Sequence, residues 1–430
     1  MFDKLKAKYL SSKELKNAGW LISGRVIQMV LSFFISIFTA RFLGPGNYGV
    51  INYASAYVAF FTSLCTLGIN SVIIKDFAEH PQEQGKAIGT TLVLRGVSSA
   101  LSTLMIIGIV GILDKGDRTT IVASGLCATA LVFQVFDTIN YWFQARYQSK
   151  VTAMATLFAY LAISVYKIIL LILQKNVLWF AFASSVDYIF LAMFLLAAYR
   201  KYDGPKLSFS WSKGKALLGQ SYHYILSGMM VAIYMQTDKL MLKQMLDETS
   251  VGYYSLASSI NTMWVFVLTA IIDSMFPTII SLYKTDRQAF EKKNRQLYAI
   301  IIYISIFVSL VFVFFGKFMI RLLYGVEYLP ATVPLRIITW YTIFCYLGVA
   351  RGAWIICENK QKYLKYMYVS AAVINILLNY FMIPVLGASG AALASLITQI
   401  CTCILLPCCV RDLRPNVKLM LQGFLLKDIR

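Results

Sequence analysis

A group of oxygen-bearing side chains in the C-terminal half could bind a small cation. They are Asp238, Asn375, Asn379 and Ser395. Each falls about four to eight residues from the outer end of an apolar segment, at a helical rise of ~1.5 Å per residue. Asn375 and Asn379 are spaced i, i+4, so they share a helix face. A carboxylate, two amides and a hydroxyl are hard oxygen ligands, which suit a monovalent cation such as sodium.

The same residues also permit a purely structural interpretation. Asp238 would then pair with Lys239 or Lys243, and the two asparagines would join neighbouring helices through hydrogen bonds. Asp187, near the middle of another apolar segment, is a second candidate for carrying a proton or an ion. Asp137 falls closer to the cytoplasmic end of its segment, where an interfacial position is expected.

Three arginines within apolar segments could bind phosphate oxygens. Arg25, Arg95 and Arg351 lie roughly six to eight residues from the cytoplasmic ends of their segments, which is ~10 Å along a helix. A guanidinium group matches phosphate geometrically, and a charge at this depth normally faces a protein interior or a wet cavity. The alternative is that each side chain snorkels to the headgroups. The Ser, Gly and Gln content of its segment favours a cavity for Arg25.

No motif for enzymatic chemistry is present in the sequence. There is no Walker sequence, no G-x-S-x-G and no His-Glu-x-x-His, and the only histidines are His80 and His223. The eight cysteines fall in or beside apolar segments without a metal-ligand pattern. We therefore expect no catalytic residues, no metal site and no cofactor apart from Na⁺ or H⁺ as a coupling ion.

The elements that must position these residues are membrane-spanning helices. The 430 residues are 59% hydrophobic and 14% charged, which is too apolar for a soluble chain. A span needs roughly 20 apolar residues, and the sequence predicts an all-α polytopic protein with about twelve. The segments are 19–40, 50–74, 87–113, 119–142, 151–173, 177–199, 221–244, 252–275, 297–320, 333–356, 363–383 and 389–410.

The formal charge of +20 would suggest nucleic acid in a soluble protein. Here the basic residues concentrate in alternate loops, and both chain ends belong to the basic set. By the positive-inside rule this distribution predicts cytoplasmic termini and an even number of spans. No nucleic-acid partner is expected.

A weak internal repeat divides the chain into halves. The strings GVINYAS at 49–55 and GYYSLAS at 252–258 both read Gly, four further residues, then Ala-Ser. Six spans per half would give both halves the same orientation, related by an axis along the membrane normal. The expected organisation is an N-terminal six-helix lobe at 1–200, a cytoplasmic linker at 201–220, a C-terminal six-helix lobe at 221–410 and a basic cytoplasmic tail at 411–430.

Several strings resemble landmarks of the polysaccharide transporter family, which includes Wzx-type O-antigen flippases. They are RFLGPGNYG at 41–49, VGYYSLA at 251–257, LYGVEYLPA at 323–331 and GASGAA at 387–392. The resemblance implies the fold of the multidrug/oligosaccharidyl-lipid/polysaccharide superfamily, with two six-helix lobes around a central cavity and alternating access. Related MurJ-type lipid II flippases hold pyrophosphate with first-span arginines, which Arg25 could match.

The same relatives hold sodium with an aspartate of the seventh span and side chains of the eleventh and twelfth. Asp238, Asn375, Asn379 and Ser395 match in placement, but the related pattern has a second carboxylate where Asn379 stands. This departure weakens the case for sodium and leaves a proton as the alternative.

The resemblance implies a flippase that moves undecaprenyl-pyrophosphate-linked oligosaccharide repeat units across the bacterial plasma membrane for surface polysaccharide biosynthesis. The expected partners are the lipid-linked oligosaccharide, membrane lipids and a polysaccharide polymerase. A cation-coupled multidrug exporter of the MATE type is the alternative, but it would want acidic cavity residues. A membrane-embedded glycan polymerase or ligase would need a large outer loop, so we expect a transporter and no enzyme.

Overall fold

The computed structural model describes residues 13–427, with side chains at Gln28, Met29 and residues 31–427. All regular secondary structure in this part of the chain is helical. The α-helices are α1 Lys13–Cys65, α2 Asn70–Glu79, α3 Gln84–Leu113, α4 Arg118–Ala128, α5 Ala130–Gln134, α6 Asp137–Ala145, α7 Ser149–Ile172, α8 Val177–Lys201, α9 Trp211–Met245, α10 Glu248–Thr262, α11 Phe266–Thr285, α12 Arg287–Leu323, α13 Thr332–Ala350, α14 Gly352–Cys357, α15 Leu364–Leu386, α16 Ala388–Ile400, α17 Leu406–Cys409 and α18 Arg414–Phe424. Short 3-10 turns occupy Pro81–Glu83, Val326–Ala331 and Gln361–Tyr363, and a π-helical turn occupies Cys401–Leu405.

Ten helical segments among the described residues are long and apolar enough to cross a membrane. This confirms the predicted helical, multi-pass membrane fold. The first segment, Leu31–Glu79, is 49 residues long and contains the end of one predicted span and all of the next. Gly44 breaks α1 between them, because its φ of 69° lies outside the helical region and Pro45 follows.

Ten segments were found where twelve spans were predicted, and the first segment accounts for two of the predicted spans. The other missing span is 221–244, which lies in α9. This helix is absent from the ten apolar segments in the described part of the chain, since Asp238, Lys239 and Lys243 lower its hydropathy. Another predicted span, 252–275, is interrupted in the structure between the end of α10 at Thr262 and the start of α11 at Phe266. A count of twelve stays a prediction.

The chain packs as two compact units. Unit 1 comprises residues through Leu43 together with Val50–Ala232, and unit 2 comprises Gly44–Gly49 and the residues from Ile233 onward. The predicted linker, 201–220, is partly helical, because α9 begins at Trp211. The lobe boundaries proposed from the sequence are not tested by this division.

In unit 1 the polar residues before α9 are held against α3. A Cβ on Gly89 would lie 2.5 Å from the carbonyl oxygen of Ser208, so the two backbones are in direct contact there. Lys213 Nζ lies 2.8 Å from an Asp76 carboxylate oxygen and 3.4 Å from one of Glu83. Unit 1 also contains a buried apolar cluster. Its members include Ile73, Phe77, Ile88, Ile139, Trp142 and Phe143.

In unit 2 the main apolar core lies among α11, α12, α13, α14 and α18. Its fully buried members include Leu297, Tyr298, Trp354 and Met420. Tyr298 accepts a hydrogen bond at its hydroxyl from Asn416 Nδ2 at 2.7 Å, which ties α18 to α12. The basic C-terminal segment is therefore packed onto the helical core as far as Phe424.

Candidate functional site

Asp238 is a buried carboxylate with four neutral hydrogen-bond donors. Its Oδ1 accepts from Asn375 Nδ2 at 3.1 Å and from Asn379 Nδ2 at 2.7 Å. Its Oδ2 accepts from Ser395 Oγ at 2.5 Å and from the hydroxyl of Tyr254. Because an ionised carboxylate offers about four acceptor positions, this set fills it. We call these five residues the Asp238 cluster.

Four helices position the cluster, whose five residues all lie in unit 2: α9 carries Asp238, α10 carries Tyr254, α15 carries both asparagines and α16 carries Ser395. The chain turns between α15 and α16 at Gly387, whose φ is 58°. A Cβ on Gly390 would lie 2.3 Å from the carbonyl oxygen of Met382, so only glycine permits this close start of α16. The short turn brings Ser395 beside Asn375, with Asn375 Nδ2 to Ser395 Oγ at 3.4 Å.

The structure thus brings together all four residues that the sequence singled out as an oxygen cluster. The predicted lysine pairing is not seen: Lys243 bonds Glu248, and among the described residues Asp238 has no ion-pair partner. Tyr254 was missed by the sequence reasoning. Its signal was available in the VGYYSLA string, since a tyrosine hydroxyl within a span needs a hydrogen-bond partner.

One atom of the cluster remains without a partner. The side-chain oxygen Oδ1 of Asn379 is buried and has no hydrogen-bond donor among the described residues. An unsatisfied buried oxygen of this kind costs about 1–3 kcal/mol. It lies on the residue whose Nδ2 also bonds Asn375 Oδ1 at 3.1 Å. The cluster therefore combines a carboxylate with a free oxygen ligand, the chemistry that a small cation needs.

Of the three predicted phosphate-binding arginines, two have described side chains. The side chain of Arg25 lies outside the described residues. Arg95 belongs to unit 1 and Arg351 to unit 2, and both are buried, with relative exposures of 2% and 8%. Both side chains bond oxygens of the protein.

Arg95 joins α3 to the junction between α5 and α6. Its Nη1 donates to Thr138 Oγ1 and its Nη2 to the carbonyl oxygen of Gln134, both at 3.0 Å. The α5 helix ends at Gln134 and α6 begins at Asp137, so the guanidinium bonds the backbone at the break.

Arg351 contacts a second helix irregularity. Pro407 has no N–H, so it gives no helical hydrogen bond to the carbonyls of Cys403 and Thr402, four and five residues earlier. These carbonyls belong to the π-helical turn Cys401–Leu405. Arg351 Nη1 lies 3.3 Å from Thr402 O and 3.5 Å from Cys403 O and donates to both. The arginine thus satisfies carbonyls that the proline leaves open.

No group of three or more His, Cys, Asp or Glu side chains among the described residues lies close enough to hold a metal ion. The Asp238 cluster contains one carboxylate with amide and hydroxyl oxygens, a donor set for a hard monovalent ion and not for zinc or iron.

Comparison with known proteins assigns the chain to a family. Residues 38–333 match the model of a family described as polysaccharide biosynthesis protein. The capsular polysaccharide biosynthesis protein CapF of Staphylococcus aureus is 22% identical over 398 residues, covering 90% of this chain and 96% of CapF.

Solved structures show the same fold. A lipid II flippase MurJ in an inward closed conformation aligns with a TM-score of 0.71 at 14% identity, covering 94% of this chain and 90% of MurJ. An inward-facing MATE family multidrug resistance transporter aligns with a TM-score of 0.65 at 14% identity, covering 93% of each chain. With most of its length matched by the family model, this multi-pass membrane protein belongs to the polysaccharide biosynthesis protein family.

Proposed function

We propose that the protein is a flippase that moves undecaprenyl-pyrophosphate-linked oligosaccharide repeat units across the bacterial plasma membrane by alternating access. The observation that carries this proposal is the family match over residues 38–333 in a chain that shares the fold of a lipid II flippase. Polysaccharide assembly needs its hydrophilic precursor moved across the bilayer, and a fold shared with transporters can supply that step. The protein catalyses no covalent chemistry in this proposal.

The Asp238 cluster is the proposed coupling site. Sodium would replace some of the neutral donors around Asp238 and would use Asn379 Oδ1, which has no donor in the described part of the chain. Ser395 Oγ and the Asn375 side chain supply the further oxygen ligands. A proton is the alternative coupling ion, since the cluster contains a single carboxylate and its donors are neutral.

Arg25, Arg95 and Arg351 are the proposed contacts for the diphosphate. A diphosphate that leaves water needs fixed cations or hydrogen-bond donors in exchange for its hydration. The Nε atoms of Arg95 and Arg351 have no acceptor among the described residues. Their Nη donors already bond protein oxygens, so each arginine would have to exchange these partners for phosphate during transport.

The remaining parts of the proposal follow from the charge distribution and the family. Both termini lie in the cytoplasm, because the basic loops and tail are retained on that side. A polysaccharide polymerase on the opposite side would consume the delivered repeat units. Membrane lipids surround the apolar faces of the helices.

Reconstituted vesicles test the transport step. Purified protein would be placed in liposomes containing an undecaprenyl-pyrophosphate oligosaccharide with a fluorescent sugar, and a membrane-impermeant quencher would report its side. We expect protein-dependent movement, faster with an imposed sodium or proton gradient, and loss of the gradient effect in Asp238→Asn. Glu79→Gln, an exposed carboxylate paired with Lys75, is the matched control. Absence of protein-dependent movement would contradict the proposal.

A cation-coupled multidrug exporter is the second candidate, favoured by the fold shared with a MATE transporter. The same vesicles would be loaded with a cationic dye instead of the lipid-linked sugar. Dye efflux driven by an ion gradient, without movement of the oligosaccharide lipid, would favour this candidate over the flippase.

A further inference from the structure

Unit 1 contains a polar cavity that the proposed function does not use. Its volume is about 310 Å³, at the small end of the ~300–1,000 Å³ range of ligand pockets. The polar lining residues on which the argument rests are Asp137, Asn140, Gln144, Asp187 and Tyr188. They come from α6 and α8, and Arg95 bonds the α5–α6 junction at the start of α6.

The two carboxylates of this cavity lack protein partners. In the described part of the chain, neither Asp137 nor Asp187 has a hydrogen-bond donor or an ion pair, although both are half-buried. A carboxylate inside a membrane protein is costly unless donors or water satisfy it. The carboxylates are therefore available to accept hydrogen bonds from a ligand in the cavity.

The charge around the cavity favours a neutral ligand. Arg95 acts electrostatically on Asp137, and Lys167 acts on Asp187, without an ion pair within the described residues. Two negative groups are thus offset by two positive groups. This balance leaves no net negative charge for a cation to neutralise, so the missing donors are better supplied by uncharged hydroxyl groups.

The other lining groups offer both donors and acceptors. Gln144 Nε2 donates to Asn140 Oδ1 at 3.1 Å, which leaves the Gln144 oxygen as an acceptor and the Asn140 amide hydrogens as donors. The Tyr188 hydroxyl accepts from Gln134 Nε2 at 3.3 Å and keeps its own hydrogen for donation. A sugar hydroxyl is both a donor and an acceptor, so it fits this mixture.

We propose that this cavity binds one neutral sugar unit, with Asp137 and Asp187 accepting hydrogen bonds from its hydroxyl groups. Asn140, Gln144 and Tyr188 orient the sugar ring. The inference rests on the proposed function for its substrate class, because the sugar would belong to the transported head group. It adds a specific site for that head group within unit 1.

Sugar binding by the purified full-length protein is the test. The probes are glucose, galactose and N-acetylglucosamine as neutral sugars, glucosamine as a cationic sugar, and sodium chloride alone, each followed by the shift in thermal unfolding. We expect at least one neutral sugar to stabilise the protein. Asp137→Asn and Asp187→Asn should each weaken its apparent Kd about tenfold, the effect of losing one hydrogen bond to a charged group.

Two further variants guard against misfolding and unspecific effects. Asn140→Ala removes a neutral lining group and should weaken sugar binding with less effect on the fold, whereas Glu79→Gln should bind as the wild type does. Sodium is expected to act at the Asp238 cluster, so these cation controls are run in Asp238→Asn. Stabilisation of that variant by glucosamine or sodium, and by no neutral sugar, would identify a cation site in the cavity and overturn the inference. The inference would also be overturned if none of the neutral sugars stabilised the protein.

The vesicle experiment separates this inference from the proposed function. If the wild-type protein moves the lipid-linked oligosaccharide while no neutral sugar binds in the cavity, this result would support the flippase and contradict the sugar site. Protein that binds a neutral sugar through Asp137 and Asp187 but moves no oligosaccharide lipid retains the site and removes the flippase.

Discussion

The backbones of Gly49 and Gly252 meet within unit 2. A Cβ on Gly49 would lie 1.8 Å from the carbonyl oxygen of Glu248 and 3.0 Å from the amide nitrogen of Gly252. Conversely, a Cβ on Gly252 would lie 2.1 Å from the carbonyl oxygen of Pro45. Gly49 and Gly252, the first residues of the two strings of the internal repeat, therefore pack against each other.

Gly49→Ala and Gly252→Ala should each destabilise the protein. The new methyl group would overlap a backbone carbonyl, which cannot move as a flexible side chain can, so we expect a loss of at least ~1–3 kcal/mol. Thermal unfolding in detergent would measure it. The control is Gly108→Ala in α3, where a Cβ meets nothing within 4 Å. Equal stability of the Gly49 and Gly108 variants would contradict the close approach.

Asp238→Asn should remove any stabilisation by sodium. A ligand present at 100 times its Kd stabilises the folded state by about 2.7 kcal/mol, so a sodium titration with potassium as the control salt is a sensitive measurement. Asn379→Asp should strengthen the sodium effect, because it adds a second carboxylate beside Asp238. Identical sodium responses in wild type and Asp238→Asn would remove the coupling site.

Arg351→Gln should destabilise the protein by about 1–3 kcal/mol, because the carbonyls of Thr402 and Cys403 lose their donor. In a Pro407→Ala background the new N–H can bond one of these carbonyls, so the cost of removing Arg351 should fall. A double-mutant cycle of thermal stability measures this coupling. A phosphate contact would instead show as lost transport that Pro407→Ala does not relieve.

The contact of Lys360 with Asp412 should make stability depend on pH. Lys360 Nζ lies 2.9 Å from Asp412 Oδ2, and this hydrogen bond, with one from Tyr363, lowers the pKa of the Asp412 carboxyl. A lowered folded-state pKa stabilises the fold above the unfolded value of ~3.9, and this contribution is lost as the pH falls through the folded pKa.

The measurement for this pair is the difference in Tm between wild type and Asp412→Asn. We expect the wild type to be the more stable at pH 7, with a small margin because the pair is exposed, and we expect the difference to vanish in acid. A difference that stays constant down to pH 3 would show that the carboxyl does not titrate with the fold.

The helical membrane fold could be derived from the sequence because its causes are local. Apolar segments long enough to span a bilayer specify helices, since a backbone in lipid must satisfy its own hydrogen bonds. Two details differ from the predicted spans. The predicted span 252–275 is interrupted after Thr262 without a proline or glycine at the break, and α9 is too polar to stand among the ten apolar segments.

The amino-acid sequence by itself determined which residue types lie within the spans, including the oxygen group around Asp238, because depth along a helix follows from counting residues. Tertiary structure alone decided what those residues touch, because contacts depend on how each helix is rotated and packed against its neighbours. It added Tyr254 to the Asp238 cluster and directed Arg351 to the carbonyls that Pro407 leaves open. It also brought Asp137 and Asp187, from separate helices, to one cavity.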